Sequence, residues 1–141
     1  MKILFDINII LDVMLIRKPF LNSALQLLVE VEKKNIDGFL SASSITTIHY
    51  LIENAKNTKL ADEKVAELLK IFNLSYIDKS IFESALSSKI SDFEDALIHE
   101  SAYRQEIDGI VTRNIKDFKH AKISIYDPDE LLTLLNTMNE E

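Results

Sequence analysis

Short apolar runs alternate along the chain with segments in which apolar residues recur every three or four positions. The runs are residues 2–6, 38–42, 74–77, 109–112 and 123–126, and they predict strands buried on both faces of a sheet. Helical spacing is found in residues 20–31 and 65–72, and further helices are predicted at 44–56, 80–87, 92–105 and 128–138. This alternation predicts an α/β fold in which helices cover both faces of a parallel sheet of about five strands.

Length and composition favour one domain over residues 1–141. Nearly half of the residues are hydrophobic (47%), and only two glycines and two prolines interrupt the pattern. A chain of this size buries its own core. We find no apolar run near the roughly 20 residues that span a bilayer and no secretion signal. A cytoplasmic protein without membrane association is therefore expected.

Cysteine content and net charge limit the kinds of catalytic and binding site that the protein can have. The chain has no cysteine, which excludes disulfides, zinc ribbons and thiol nucleophiles. Its formal charge of −7 argues against tight nonspecific binding of nucleic acid, because such binding uses lysines and arginines that neutralise phosphates. A nuclease stays compatible with this charge, because part of the negative charge belongs to a candidate metal pocket.

Acidic residues occur where apolar runs end or helices begin. Asp6 ends the first run, Asp92, Glu94 and Asp95 open a predicted helix, and Asp117 follows the run at 109–112. The carboxyl ends of parallel strands meet at one edge of a sheet, where α/β proteins bind ligands. Clustered carboxylates repel one another unless a cation relieves them. The pattern predicts an anionic pocket for a divalent cation, although helix capping by Asp6 and Asp92 competes with this interpretation.

Polar and basic residues accompany these acids. The residues expected to support the pocket are Asn8, Thr112 and Asn114, and those expected to contact a phosphate are Arg113 and Lys116. His99 shares a helical face with Asp92 and Asp95, where we expect a hydrogen-bonding neighbour rather than a ligand. Asp12 is expected to be a solvated helix residue.

Four segments together resemble the successive blocks of the PIN domain family. They read FDINIILD, SASSITTIHYLI, DFEDALIHESA and TRNIKDF, and the resemblance covers nearly the whole chain. It implies a Rossmann-like, three-layer α/β/α sandwich and a Mg²⁺- or Mn²⁺-dependent endoribonuclease. Many members are VapC-type toxins, and this chain resembles a subgroup with a DFEDAL block. The resemblance further implies an RNA substrate, an antitoxin partner and a homodimer.

Carried over residue by residue, the resemblance assigns the catalytic and metal-binding roles. It makes Asp6, Asp95 and Asp117 the catalytic acids and metal ligands, with Asn8, Thr112 and Asn114 as supporting residues. Beside them we predict Asp92 as a further metal ligand and supporting residue, and Glu94 and His49 as further supporting residues.

One position departs from the family pattern. His49 stands where members carry a glutamate in the helix after the second strand, and imidazole suits Mn²⁺ better than Mg²⁺. Asp92, Glu94 or Glu53 are the candidates for the missing carboxylate. The alternative is a catalytically degenerate PIN-fold module that acts through protein or nucleic-acid binding.

Two other classes of protein, an enzyme and a signalling domain, agree less well with the positions of the acids in this sequence. A phosphoaspartate phosphatase requires a second aspartate at the position of Asn8. A receiver domain normally carries its phosphorylated aspartate after a later strand. The run at 38–42 leads instead into Ser43 and Ser44, without an acid.

Overall fold

A computed structural model describes residues 1–139, so residues 140 and 141 of the predicted domain lie outside the described residues. Strands and helices alternate in the order β1 (Lys2–Phe5), α1 (Ile7–Met14), α2 (Leu21–Glu32), β2 (Asp37–Ser41), α3 (Ala42–Ala55), α4 (Thr58–Ile71), β3 (Asn73–Ser75), α5 (Lys79–Leu86), α6 (Phe93–Arg104), β4 (Gly109–Val111), a 3₁₀ helix (Ile115–Phe118), β5 (Ser124–Tyr126) and α7 (Pro128–Asn139).

The strands form one parallel sheet in the order β3-β2-β1-β4-β5. The predicted parallel α/β fold is confirmed, and most element ends lie within one or two residues of their predicted positions. The third strand is shorter than predicted because the backbone N–H of Tyr76 donates to the side chain of Gln105, 3.2 Å away, and leaves the sheet. β1 ends at Phe5, so Asp6 is the residue that precedes α1 rather than the last of the strand.

Successive residues of β1 show how the sheet divides the interior. Ile3 and Phe5 pack in one core with apolar residues of α1, α2, α3, α4 and α7. Leu4, between them, packs in a second core with α5 and α6. Alternate side chains of a strand point to opposite faces. The result is a three-layer α/β/α arrangement.

The carboxyl edge of the sheet is where three central strands pass into helices or turns. Asp6 follows β1, Ser41 ends β2 and caps α3 by accepting from the Ser44 backbone N–H at 3.2 Å, and Thr112 follows β4. These strands are neighbours, so residues distant in sequence meet at this edge. Among residues 1–139, no helix is long and apolar enough to cross a membrane.

Candidate active site

A cavity of about 300 Å³ at this edge collects nearly all the predicted acids. The acids that line it come from three separate segments, and they are Asp6, Asp92, Glu94, Asp95 and Asp117. The amides of Asn8 and Asn114 line it as well, and Ile7, Leu51 and Ile98 add apolar surface. The cavity is therefore acidic and almost free of basic groups.

Asp6 is the most firmly held of these acids. Its backbone N–H donates to the Val111 carbonyl (3.0 Å) and extends the pairing of β1 with β4. Its carboxylate Oδ2 accepts from the Thr112 hydroxyl at 2.8 Å, and that hydroxyl oxygen accepts from the Asn114 backbone N–H at 3.0 Å. The Asp6 side chain does not cap α1. The competing interpretation of Asp6 as a helix cap is thus not supported.

At the start of α6, the capping interpretation of Asp92 is correct. Its carboxylate Oδ1 accepts from the Asp95 backbone N–H at 3.0 Å. Glu94 and Asp95 are half-buried beside it, and the buried Oε1 atom of Glu94 has no hydrogen-bond partner. At the N-terminus of α6, Asp92 therefore caps the helix, whereas the carboxylates of Glu94 and Asp95 remain available to bind a ligand.

Burial and mutual repulsion make these carboxylates hard to ionise. Burial, and then the charges of Asp92, Asp6, Asp117 and Glu94, raise the pKa of Asp95 to about 7. Burial also raises the pKa values of Asp6 and Glu94 above their usual range. Within residues 1–139, no three His, Cys, Asp or Glu side chains stand close enough to hold a metal ion as they are placed. Full ionisation of this cluster of carboxylates is therefore unfavourable.

Arg113 and Asp12 form an ion pair with each other, which the sequence did not predict for either residue. The guanidinium donates from Nε to Asp12 Oδ2 at 2.8 Å and from Nη2 to Oδ1 at 3.1 Å, and it stacks 3.8 Å over the Phe20 ring. Asp12 is fully buried, which corrects its prediction as a solvated residue. A two-point pair of this kind is strong, so it holds Arg113 away from the predicted phosphate contact. Lys116 remains exposed on the 3₁₀ helix, outside the cavity lining.

His49 also lies outside the cavity. Its Nε2 is 2.7 Å from the Asp62 carboxylate on α4, and the residues of α3 that line the cavity are Thr47 and Leu51. Glu53 is occupied as well, because it accepts from the Thr58 hydroxyl at 2.8 Å. The prediction of His49 as a supporting residue is corrected. Thr47, which was not predicted from the sequence, is the polar residue of α3 that lines the cavity.

His99 does not join Asp95 in the cavity. Ile98 lines the cavity instead, and His99 lines a different cleft. Its Nε2 accepts from the Lys122 backbone N–H at 2.9 Å. It is thus a hydrogen-bonding residue, as expected, but of another surface.

Comparison with known proteins gives one family match. A family model described as PIN domain matches residues 2–116. No curated protein sequence matches the chain significantly.

Several solved structures share the fold. A toxin–antitoxin complex from Klebsiella pneumoniae is 23% identical, with a TM-score of 0.67 over 89% of this chain and 96% of that one. VapC20 of Mycobacterium tuberculosis, a sarcin–ricin loop cleaving toxin, is 14% identical, with a TM-score of 0.65 over 77% and 86%. VapBC2 of Rickettsia felis, bound to promoter DNA, is 18% identical, with a TM-score of 0.67 over 90% and 100%. At these identities the likeness concerns the fold.

Proposed function

Because this chain belongs to the PIN domain family, we propose that it is a Mg²⁺- or Mn²⁺-dependent endoribonuclease and the toxin of a toxin–antitoxin pair. Members of this family are generally ribonucleases that use divalent metal ions. One observation carries the proposal: acids that follow β1, begin α6 and follow β4 line one cavity at the carboxyl edge of the sheet. Ligand sites of open α/β sheets lie at this edge.

The residues of the cavity fit a hard divalent cation. The polar side chains lining it offer oxygen donors from carboxylates, amides and a hydroxyl, which are the ligands that Mg²⁺ and Mn²⁺ prefer. The unpartnered Glu94 oxygen and the raised pKa of Asp95 both indicate charge that a cation would relieve. We propose that Asp6, Asp95 and Asp117 hold the ion, with Asp92 as a further ligand. Asp6 is held by Thr112 and Asp92 by the Asp95 backbone N–H, so Asp95 and Asp117 are the carboxylates that would move to reach a shared ion.

The side chains would divide the work of phosphodiester hydrolysis. A bound divalent ion activates water and stabilises the leaving oxygen. Thr112 keeps Asp6 oriented, while Asn8 and Asn114 offer amide groups to the phosphate or to water. Lys116 is the exposed cation nearest in sequence to Asp117 and steadies the phosphate charge. Arg113 acts indirectly, because its pairing with Asp12 fixes the segment that carries Thr112 and Asn114.

A catalytically degenerate PIN-fold module is the second candidate. The observation in its favour is that α3 contributes Thr47 and Leu51 to the cavity but no carboxylate. With fewer acids, the affinity for a cation is lower. This candidate predicts a protein that binds partners but cleaves no RNA.

An antitoxin partner is supported by an apolar groove between α1, α2 and α4. The groove has a volume of about 390 Å³, and its apolar lining includes Val13, Leu28 and Leu68. Leu25 and Val29 at the same groove are exposed. We propose that an apolar segment of an antitoxin covers this surface, and that the toxin is a homodimer.

Cleavage of a labelled structured RNA tests the proposed activity. The purified protein is incubated with Mg²⁺, Mn²⁺ or EDTA, beside the variants Asp6→Asn and Asp95→Asn. We expect cleavage only with a metal ion and a loss of about a hundredfold or more in each variant, because each would remove a carboxylate from the metal site. Asp62→Asn is the matched control, since Asp62 lies on α4 outside the cavity.

The outcome separates the two candidates. Cleavage that needs the ion and disappears in both variants supports the nuclease. If no cleavage occurs and calorimetry detects no bound Mg²⁺ or Mn²⁺, the degenerate binding module is the better account.

A further inference from the structure

Basic residues are concentrated in the segment that leads away from the acidic cavity. Residues 113–122 carry four of the 16 lysines and arginines of the chain, but only one of its 23 acids. Arg113 is held in an ion pair. The other three, Lys116, Lys119 and Lys122, are exposed and form no ion pair within the part of the chain that the structure describes. On a protein with a formal charge of −7, this segment is a local reversal of charge.

Two of these lysines stand beside the acidic cavity. Lys116 lies in the 3₁₀ helix next to Asp117, which lines the cavity. Lys119 directly follows this helix and keeps helical backbone angles. Side chains three positions apart in a 3₁₀ helix lie above one another. Lys116 and Lys119 therefore face the same side and form a row that starts at the cavity.

The row continues into a second cleft, of about 700 Å³. His120, the residue after Lys119, lines this cleft together with Lys122 and with Lys89 from the loop before α6. Lys89 is also exposed and without an ion pair among residues 1–139. Successive residues of α6 line the two spaces, since Ile98 faces the cavity and the next residue faces the cleft. An extended strand can therefore reach both.

Two contacts hold suitable donor groups at this cleft. Nζ of Lys122 lies 5.1 Å from the centre of the Tyr103 ring, a cation–π contact that positions the ammonium without neutralising its charge. The Ser88 hydroxyl lines the cleft and accepts from the Ile90 backbone N–H at 3.0 Å, so it keeps its own proton to donate. Ammonium and hydroxyl groups are typical donors to the phosphate oxygens of a nucleic acid.

Two acids of the cleft oppose an anion. Glu100 turns inward, because its side chain is 12% exposed and its Oε1 atom lies 3.6 Å from His99 Nδ1. Glu83 is exposed on α5 and lines the same cleft. A phosphate there is attracted by the lysines and repelled by Glu83. Removing the Glu83 charge should thus have the opposite effect to removing a lysine charge.

We propose that a basic strip, formed by Lys116, Lys119, Lys122 and Lys89, binds backbone phosphates of the RNA substrate on one side of the scissile bond. The strip leads the strand from the cavity into the cleft. The inference rests on the proposed function, because it concerns the same substrate. Contacts to phosphates carry no sequence information, so the strip attracts RNA of any sequence and supplies positive charge that the acidic cavity lacks.

RNA binding to the full chain in EDTA tests this inference without cleavage. Fluorescence anisotropy measures the affinity for two labelled single strands of about 12 nucleotides, which differ in base sequence, at several salt concentrations. We expect the double variant Lys89→Gln with Lys122→Gln to bind both strands about tenfold more weakly at low salt. The slope of log affinity against log salt should fall by about 1.4, or about 0.7 for each lost phosphate contact.

Three further variants complete the design. Lys116→Gln with Lys119→Gln should weaken binding to a similar extent, because both pairs belong to one strip. Glu83→Gln should strengthen binding. The matched control is Lys56→Gln with Lys59→Gln, since these two lysines are exposed but line neither the cavity nor the cleft.

Weaker binding in both strip variants, stronger binding in Glu83→Gln and no change in the control support the inference, even if the protein cleaves no RNA. Four results would overturn it: no RNA binding at low salt, an equal loss in the control, a loss for one base sequence only, or full displacement of RNA by inorganic phosphate at the same total phosphate concentration. Metal-dependent cleavage together with any of these four would leave the nuclease proposal intact and remove only the basic strip.

Discussion

At the scale of single residues, Asp95 shows how the cavity sets the protein's response to pH. Its pKa is raised from 3.8 to about 7, first by burial and then by neighbouring carboxylates. The folded state therefore binds a proton that the unfolded chain releases, so the contribution of Asp95 to metal-free stability is highest below the unfolded pKa of 3.8. It falls as pH rises towards 7 and stays low above that value. Charge in this cavity thus costs stability unless a cation balances it.

We predict that Asp95→Asn stabilises the metal-free protein at pH 8. The gain should be about 1–2 kcal/mol, because solvent screening reduces the effect of a half-exposed group, and it should disappear near pH 4. Denaturant unfolding in EDTA at both pH values measures it. Asp62→Asn serves as the control and should change little at either pH. Destabilisation by Asp95→Asn at pH 8 would show that the carboxylate is a structural partner rather than a strained one.

At the scale of secondary-structure elements, periodicity predicted most helices but missed α1 and the first half of α4. It also did not always predict which side chains a helix directs inward. The helix predicted at 44–56 is observed as Ala42–Ala55, yet the block comparison placed His49 at the site. In the structure, Thr47 and Leu51 line the cavity. His49 instead contacts the carboxylate of Asp62. At 3.6 residues per turn, a shift of two residues moves a side chain most of the way to the opposite face. An element can therefore be predicted correctly while its functional position is wrong.

The two positions of α3 can be distinguished by placing a carboxylate at each. Thr47→Glu adds an acid to the cavity lining, so we expect it to raise Mn²⁺ affinity about tenfold, as added carboxylate ligands do at such sites. His49→Glu should leave Mn²⁺ affinity within about twofold of the parent, since its side chain lies outside the lining. Calorimetric titration of both variants measures the difference. Tighter binding in His49→Glu alone would contradict the observed orientation of α3.

At the scale of the whole molecule, strand order is what converts separate sequence signals into one site. Sequence alone predicted a parallel sheet and acids at strand ends, and neighbouring strands bring Asp6 and Thr112 within 2.8 Å. The pair of Asp12 and Arg113 was missed because it joins residues 101 positions apart. Neither residue carries a local pattern that indicates its partner. Edge positions are thus predictable from topology, whereas individual long-range ion pairs require coordinates.

Because the fold brings the acids of the cavity together, we predict that folding and cation binding are linked. The acids meet only in the folded chain, so an ion that binds them stabilises that state by mass action, by about 2.7 kcal/mol at a free concentration one hundred times its Kd. For a domain of this size we expect Mn²⁺ to raise the Tm by roughly 5–10 °C under those conditions. Thermal unfolding with MnCl₂, compared with NaCl at equal ionic strength, measures the effect.

Asp6→Asn and Asp95→Asn should lose most of this gain, whereas Asp62→Asn should keep it. An equal rise in all three variants would mean that the ion binds elsewhere on this acidic protein. The metal-free comparison adds a second constraint, because Asp95→Asn should start from a higher Tm at pH 8 and gain less from Mn²⁺. Only a site in which the same carboxylate destabilises the empty fold and stabilises the loaded one gives both results together.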